Sequence, residues 1–207
     1  MPLIERDSAL NALSQISEIR PVFLESWEQW MAQPAEFRAK MTPTARAAVV
    51  HDLVIDNAAR AFASTARIFD KAGLKLFVFG DICLRFKKHD RDLASRNQPT
   101  KQVKDFMGQR VLDGVPAVYN LEAGYVLDPT ETEIESTNLV CPKGHKNRPY
   151  WSVALYDEGY RCEVTDFFDL SNKRASVDDS EEIHSSRWRT RPSGIVIPFN
   201  RIVKRDD

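Results

Sequence analysis

The order of segments along the chain predicts an α+β protein, with N-terminal helices followed by a mainly antiparallel sheet. Three observations carry that prediction. Apolar residues recur at helical spacing as far as Gly73. Beyond it they alternate, or run in short β-rich stretches. Those stretches follow one another with turn signals between them and few intervening helices, which favours antiparallel pairing over a doubly wound parallel sheet. The chain divides on this reading into a helical part, 1–73, and a strand-rich part, 74–207, that share one core.

The first helix is expected to start at Ser8, a hydroxyl cap, and to carry Leu10, Leu13, Ile16 and Ile19. Pro21 falls inside the pattern and biases Arg20 away from α geometry, so a second helix is expected over Pro21–Met31. Gln33-Pro34 marks a break. Thr42-Pro43 is a helix start, a cap followed by proline in the first turn. The helix after it presents Val50, Val54, Ala58 and Phe62, widened by Ile55, Ala66 and Phe69, and Gly73 is expected to end it as a C-cap.

Leu74–Phe79 is β-rich, and Ile82, Leu84 and Phe86 alternate with Cys83, Arg85 and Lys87; Gly80-Asp81 between them signals a turn or bulge. A polar loop follows over 88–99, then a short helix capped by Thr100 that holds Val103, Phe106 and Met107. Further strands are expected over Pro116–Leu121, Gly124–Leu127 and Ile134–Cys141. Tyr150–Tyr156 and Tyr160–Val164 flank Asp157-Glu158-Gly159, a hairpin signal, and Ile195–Phe199 reads as a last strand.

Composition excludes several classes. Hydrophobic residues make up 43% of the 207 and charged residues 29%, which rules out wholesale disorder. The three cysteines form no disulfide framework, the first ten residues carry no apolar run, and the run Val49–Ile55 is broken by His51 and Asp52; a cytoplasmic protein with no membrane partner is expected. The net charge is −1, so no long-range field draws polyanions to the whole molecule.

Charge is nonetheless segregated. Seven basic residues between Arg85 and Lys104 face two acids, whereas Glu122–Glu135 holds five acids and no base. Such blocks either fold into opposed patches or neutralise one another as solvated loops. Arg187-Trp188-Arg189-Thr190-Arg191 and the stretch from Lys143 to Trp151 interleave cations with aromatics. That mix suits single-stranded nucleic acid, since charge follows the backbone while π faces stack on bases. The expected nucleic-acid contacts are Arg85, Lys87, Lys88, Arg96, Lys146, Arg148, Arg187, Trp188 and Arg189. Trp151 alternates with Val153 and Leu155 and is read as core.

His89, in the cationic run Arg85-Phe86-Lys87-Lys88-His89, is the first candidate for acid–base work, with Lys87 as the charge stabiliser and His145 as a second base or acid. If the chain turns over a substrate, these residues point to a metal-independent ribonuclease. The competing reading of His89 is a surface histidine beside other charges. Cys141 and His145 have a close ligand spacing that Cys162 and His184 could complete. Zinc normally draws on two close pairs and only one is present, so no metal and no cofactor are expected.

Three resemblances add expectations. Arg46 and His51 resemble the Arg/His pair of HEPN-type ribonucleases, although those domains are all-helical and this chain turns to strands. Gly73-Leu74-Lys75-Leu76-Phe77 resembles the peptide by which bacterial proteins engage the replication sliding clamp, with glycine in place of its glutamine; Leu74, Leu76 and Phe77 would be the contacts. Finally, Arg85-Phe86-Lys87-Lys88, Ser95-Arg96-Asn97, Pro99-Thr100, Gln102, Phe106, Gln109 and Gly124-Tyr125-Val126-Leu127-Asp128 resemble uncharacterised bacterial proteins of toxin–antitoxin and phage-defence neighbourhoods, over residues 44–155. The resemblance implies a toxin-like or regulatory protein with a cognate partner. The sequence thus carries two functional expectations: engagement of nucleic acid, RNA above all, or a non-enzymatic module that holds a protein partner such as an antitoxin or a replication factor.

Overall fold

A computed structural model describes residues 3–71, 73–95, 100–144 and 148–156, the side chain of Lys71 excepted. Helices α1 (Arg6–Ala12), α2 (Ile16–Met31), α3 (Ala35–Lys40) and α4 (Pro43–Ala61) come first. The strands β1 (Arg67–Lys71), β2 (Leu74–Phe79) and β3 (Ile82–Lys88) follow, then α5 (Lys101–Met107), β4 (Tyr119–Leu127), β5 (Ile134–Cys141) and β6 (Trp151–Ala154). The strands form one sheet in sequence order, antiparallel throughout except between β3 and β4. The α+β class is as the sequence predicts. No helix among the described residues is long and apolar enough to cross a membrane.

Alternation along the strands divides the sheet into two faces. Phe77, Phe79, Ile82, Leu84, Phe86, Leu121, Ala123, Tyr125 and Leu139 pack against α2 and α4, with Phe23, Trp27, Trp30, Val50, Val54 and Phe62. We call this the helix face. Leu76, Val78 and Cys83 point the other way and meet Phe106, Met107, Leu112, Val115 and Ala117. These belong to α5 and the segment after it, which form the crossover that a parallel β3–β4 pair requires. We call this the crossover face.

Local chemistry explains most boundaries. Thr42 accepts a hydrogen bond from the Ala45 amide at 3.2 Å and Pro43 opens α4; Thr100 caps α5 in the same way through the Val103 amide at 3.3 Å. Gly80 adopts φ 54° in the two-residue turn between β2 and β3, a conformation that costs glycine little.

Several expectations are corrected. Pro21 lies inside α2 instead of breaking it. A mid-helix proline costs roughly 3 kcal/mol. Six apolar side chains of α2 (Ile16, Ile19, Val22, Phe23, Trp27 and Trp30) are buried, each worth about 1.5–3 kcal/mol, which outweighs it. The helix after Thr42 stops at Ala61, and Arg67–Lys71 is a strand. Ala66 and Phe69 match helical spacing, yet Ile68 and Phe69 pair with Phe77 and Leu76 across a hairpin. Gly73, at φ 80°, serves that hairpin and is not a helix cap. The two expected strands over 116–127 are one, β4. The hairpin signal at Asp157-Glu158-Gly159 and the strand at Ile195–Phe199 lie outside the described residues.

Candidate functional site

β3 sends Cys83, Arg85, Lys87 and His89 toward the crossover face, and β4 sends Asn120, Glu122 and Gly124. The parallel register sets Arg85 beside Glu122 and Lys87 beside Gly124. Arg85 and Glu122 are each 1% exposed. The Arg85 Nε donates to Glu122 Oε1 at 2.5 Å, and Nη2 meets the same oxygen. Nη2 also lies 3.4 Å from Ser95 Oγ and 3.4 Å from Met107 Sδ, and the guanidinium carbon sits 4.5 Å above the Phe106 ring. Ser95 Oγ lies 3.0 Å from each carboxylate oxygen of Glu122 and donates to them. A carboxylate, a guanidinium and a hydroxyl are thus closed against water by α5, as a buried ion pair requires.

His89 completes the cluster. Its ring lies on the backbone of Gly124: a Cβ there would come within 2.2 Å of Cε1 and of Nδ1. Only glycine fits this contact. Nε2 is 3.8 Å from Glu122 Oε2, and among the described residues neither ring nitrogen has a hydrogen-bond partner; nor does Arg85 Nη1. Burial holds the imidazole below its ordinary pKa; the Arg85 cation works the same way, while the Glu122 and Asp90 carboxylates oppose it. Lys87 is likewise held below the usual lysine range by burial and then by Arg85. Burial, then the Lys87 cation, lowers His51.

These contacts correct several expectations. Arg85 cannot meet a phosphate while it is enclosed with Glu122. His89 is neither a surface histidine nor an accessible acid–base group, since it is 2% exposed. Lys87 is half-buried beside it. Lys88 points to the helix face and donates to Glu131 Oε1 at 2.7 Å; Arg46 holds the other oxygen of Glu131, so its guanidinium does not serve an Arg/His pair with His51. Leu76 and Phe77 are both fully buried in β2, which denies a clamp the peptide it would need; Leu74 is half-buried. Trp151 is core, as expected, and its Nε1 donates to the Ile4 carbonyl at 2.8 Å. Cys141 is buried on the helix face, and among the described residues no group of three His, Cys, Asp or Glu could hold a metal. Arg148 is exposed. Arg96, His145, Lys146, Cys162, His184, Arg187, Trp188 and Arg189 lie outside the described residues.

A second polar knot was not legible from residue type. The Gln109 amide, at φ 55° past the end of α5, donates to the carbonyls of Asn120 at 2.7 Å and Pro142 at 3.0 Å and accepts from the Asn120 amide at 2.9 Å. Asn120 Nδ2 donates in turn to the carbonyls of Phe106 and Arg110. The Gly144 amide then donates to the Met107 carbonyl at 2.7 Å. These bonds fasten the connection between β5 and β6 to the end of α5. They set Gly144, and with it Lys143, against the end of the helix that carries Lys101 and Lys104; those two lysines, Arg110 and Arg148 are exposed. Arg110 pairs with Asp105 at 3.2 Å, and Lys143 lies 5.9 Å over the Tyr150 ring. A groove beside α5 is lined by Leu74, Thr100, Lys101, Gln102, Asp105, Val111, Leu112 and Asp113.

Compared with family models, with curated proteins and with solved structures, the chain finds no match, so its own residues carry the functional reading.

Proposed function

We propose that the chain engages nucleic acid, RNA above all, along the basic rim where α5 meets the β5–β6 connection, in a toxin-like or regulatory role. One observation carries the reading. The Gly144-to-Met107 and Gln109-to-Pro142 hydrogen bonds join two basic segments that are far apart in sequence. The rim offers Lys101, Lys104, Arg110, Lys143 and Arg148 against Asp105 and Asp113. Cations on one rigid edge can neutralise successive phosphates. The rim differs from the contacts expected of β3, because Arg85 is enclosed, Lys88 is paired with Glu131 and Lys87 is half-buried beside His89. Among the described residues no accessible histidine stands at this rim, so the proposal is binding and assigns no cleavage.

The test is binding of short single-stranded RNA and DNA across a salt series, with the wild-type chain and with Lys101→Ala/Lys104→Ala/Arg148→Ala. All three side chains are exposed, so the fold tolerates the change. The expected wild-type affinity falls steeply with salt, and the variant's slope is shallower by about 0.7 for each phosphate that it no longer neutralises. No binding by the wild-type chain at low salt overturns the proposal and moves the search to a protein partner for the charged faces. Equal slopes in the two proteins would move the binding surface elsewhere on the chain.

A further inference from the structure

The connection that leaves β3 turns back on itself before it reaches α5. His89 and Ser95 form an isolated antiparallel bridge. Asp90 Oδ1 accepts from the amides of Asp92 at 3.0 Å and Ala94 at 2.9 Å, and Leu93 holds φ 58°. Ser95 at its end reaches Glu122. Beneath the loop lies the His89 ring, pressed on Gly124 and 3.8 Å from Glu122.

We propose that the 89–95 loop is a proton-operated clasp: neutral His89 keeps it closed over the Arg85–Glu122 pair, and protonated His89 opens it. Glu122 is a single carboxylate already paired with Arg85 and bonded to Ser95. A second cation would have to share it. Among the described residues the ionisable groups around the ring are Glu122 from β4, Arg85 and the half-buried Lys87 from β3, and Asp90 beside it, whose Oδ1 accepts from its own loop amides. Among the described residues neither ring nitrogen has a hydrogen-bond partner; the carboxylate oxygen within reach of Nε2, Glu122 Oε2 at 3.8 Å, already accepts from Ser95. The walls differ in what can yield. β4 is paired on both sides within the sheet, whereas beyond the His89 amide's bond to the Tyr125 carbonyl the described part of the loop is held by the His89–Ser95 bridge, by bonds among its own residues and by the Ser95–Glu122 and exposed Arg91–Glu135 contacts. The loop is therefore the wall that moves, and its opening admits water to the imidazolium.

The sign follows from burial. The folded pKa of His89 lies below the unfolded value near ~6.5, so the closed form has its full stability above that value and loses it as pH falls below it.

Amide hydrogen exchange on the full chain tests the clasp. Rates at Asp92, Leu93 and Ala94 are followed from about pH 7.5 to about pH 5, each corrected for the free-chain rate at that pH. Protection in the loop is expected to fall by up to about tenfold per pH unit below the ordinary histidine value, the limit for one proton. Amides of β4 should keep theirs, and His89→Gln should abolish the response. Should that variant fail to fold, a chain with His51, His145 and His184 changed to glutamine leaves one imidazole to follow by NMR. Its titration must coincide with the loss of loop protection. Loop protection that ignores pH, a response that survives His89→Gln, or a ring that titrates apart from the loop overturns the clasp.

Discussion

On the helix face Phe23, Phe62, Phe77, Phe86 and Tyr125 meet ring against ring, with centroids 5.2–6.4 Å apart. On the crossover face Arg85 and Glu122 are buried as deeply, with Asn120, Gln109 and His89 around them. Both faces exclude water, but they do so by unlike means. Apolar packing is non-directional, and its members act almost independently of chemical identity. The buried ion pair is conditional: the Arg85 guanidinium and the Glu122 carboxylate are each tolerated because the other is present. The difference teaches that depth of burial alone does not tell what a residue contributes.

The sharpest way to break the comparison is to remove one member from each face. Glu122→Ala should cost about 3–5 kcal/mol, because it strands the Arg85 cation in a dry site. Phe62→Ala on the helix face should cost a similar ~3–5 kcal/mol through the cavity it leaves. A second change separates them. Adding Arg85→Met to Glu122→Leu should recover most of the loss, as apolar replacements of buried ion pairs do, whereas adding Phe77→Ala to Phe62→Ala should deepen it. Urea unfolding of the single and double variants checks this; a double change at Arg85 and Glu122 as costly as the single would place the two faces on the same footing.

A smaller effect sharpens the role of shape on the polar side. Gly124→Ala should destabilise by about 1–3 kcal/mol, the usual cost of overpacking, because its Cβ would enter the His89 ring. His89→Ala should relieve most of that penalty when combined with it, and thermal unfolding of the pair reads the coupling. The smallest effect compares the helices that cover the faces. Thr42→Ala and Thr100→Ala each remove one cap from α4 and α5, at about 1 kcal/mol apiece. Equal losses in denaturant titrations would show that the ends of these helices obey the same local rule whatever face they serve.

The sequence was most legible where its patterns are local. The alternation of Ile82, Leu84 and Phe86, the Gly80-Asp81 turn and the caps at Thr42 and Thr100 all depend on near neighbours, and the fold class follows from them. It was least legible where a distant segment decides. Cys83, Arg85 and Lys87 form the polar half of an alternating strand, which ordinarily faces water. Here the crossover covers that half, and Arg85 and His89 go under with it. Glu122 opens an acidic run in the sequence and, without a register, nothing marks it as the partner of Arg85. Phe69 reads as helix because its own spacing allows it; its pairing with Leu76 is what makes it strand.

The sheet is two three-stranded antiparallel meanders, β1–β2–β3 and β4–β5–β6, joined side by side along one parallel seam. No tight turn sets the alignment of that seam, because its strands are linked through the whole crossover. Arg85 and Glu122 face each other in the middle of it. A slip of one residue would carry one member of the pair to the opposite face, where it would lie unpaired among phenylalanines. The ion pair therefore acts as a key in a lock between the two halves, admitting one alignment and rejecting its neighbours.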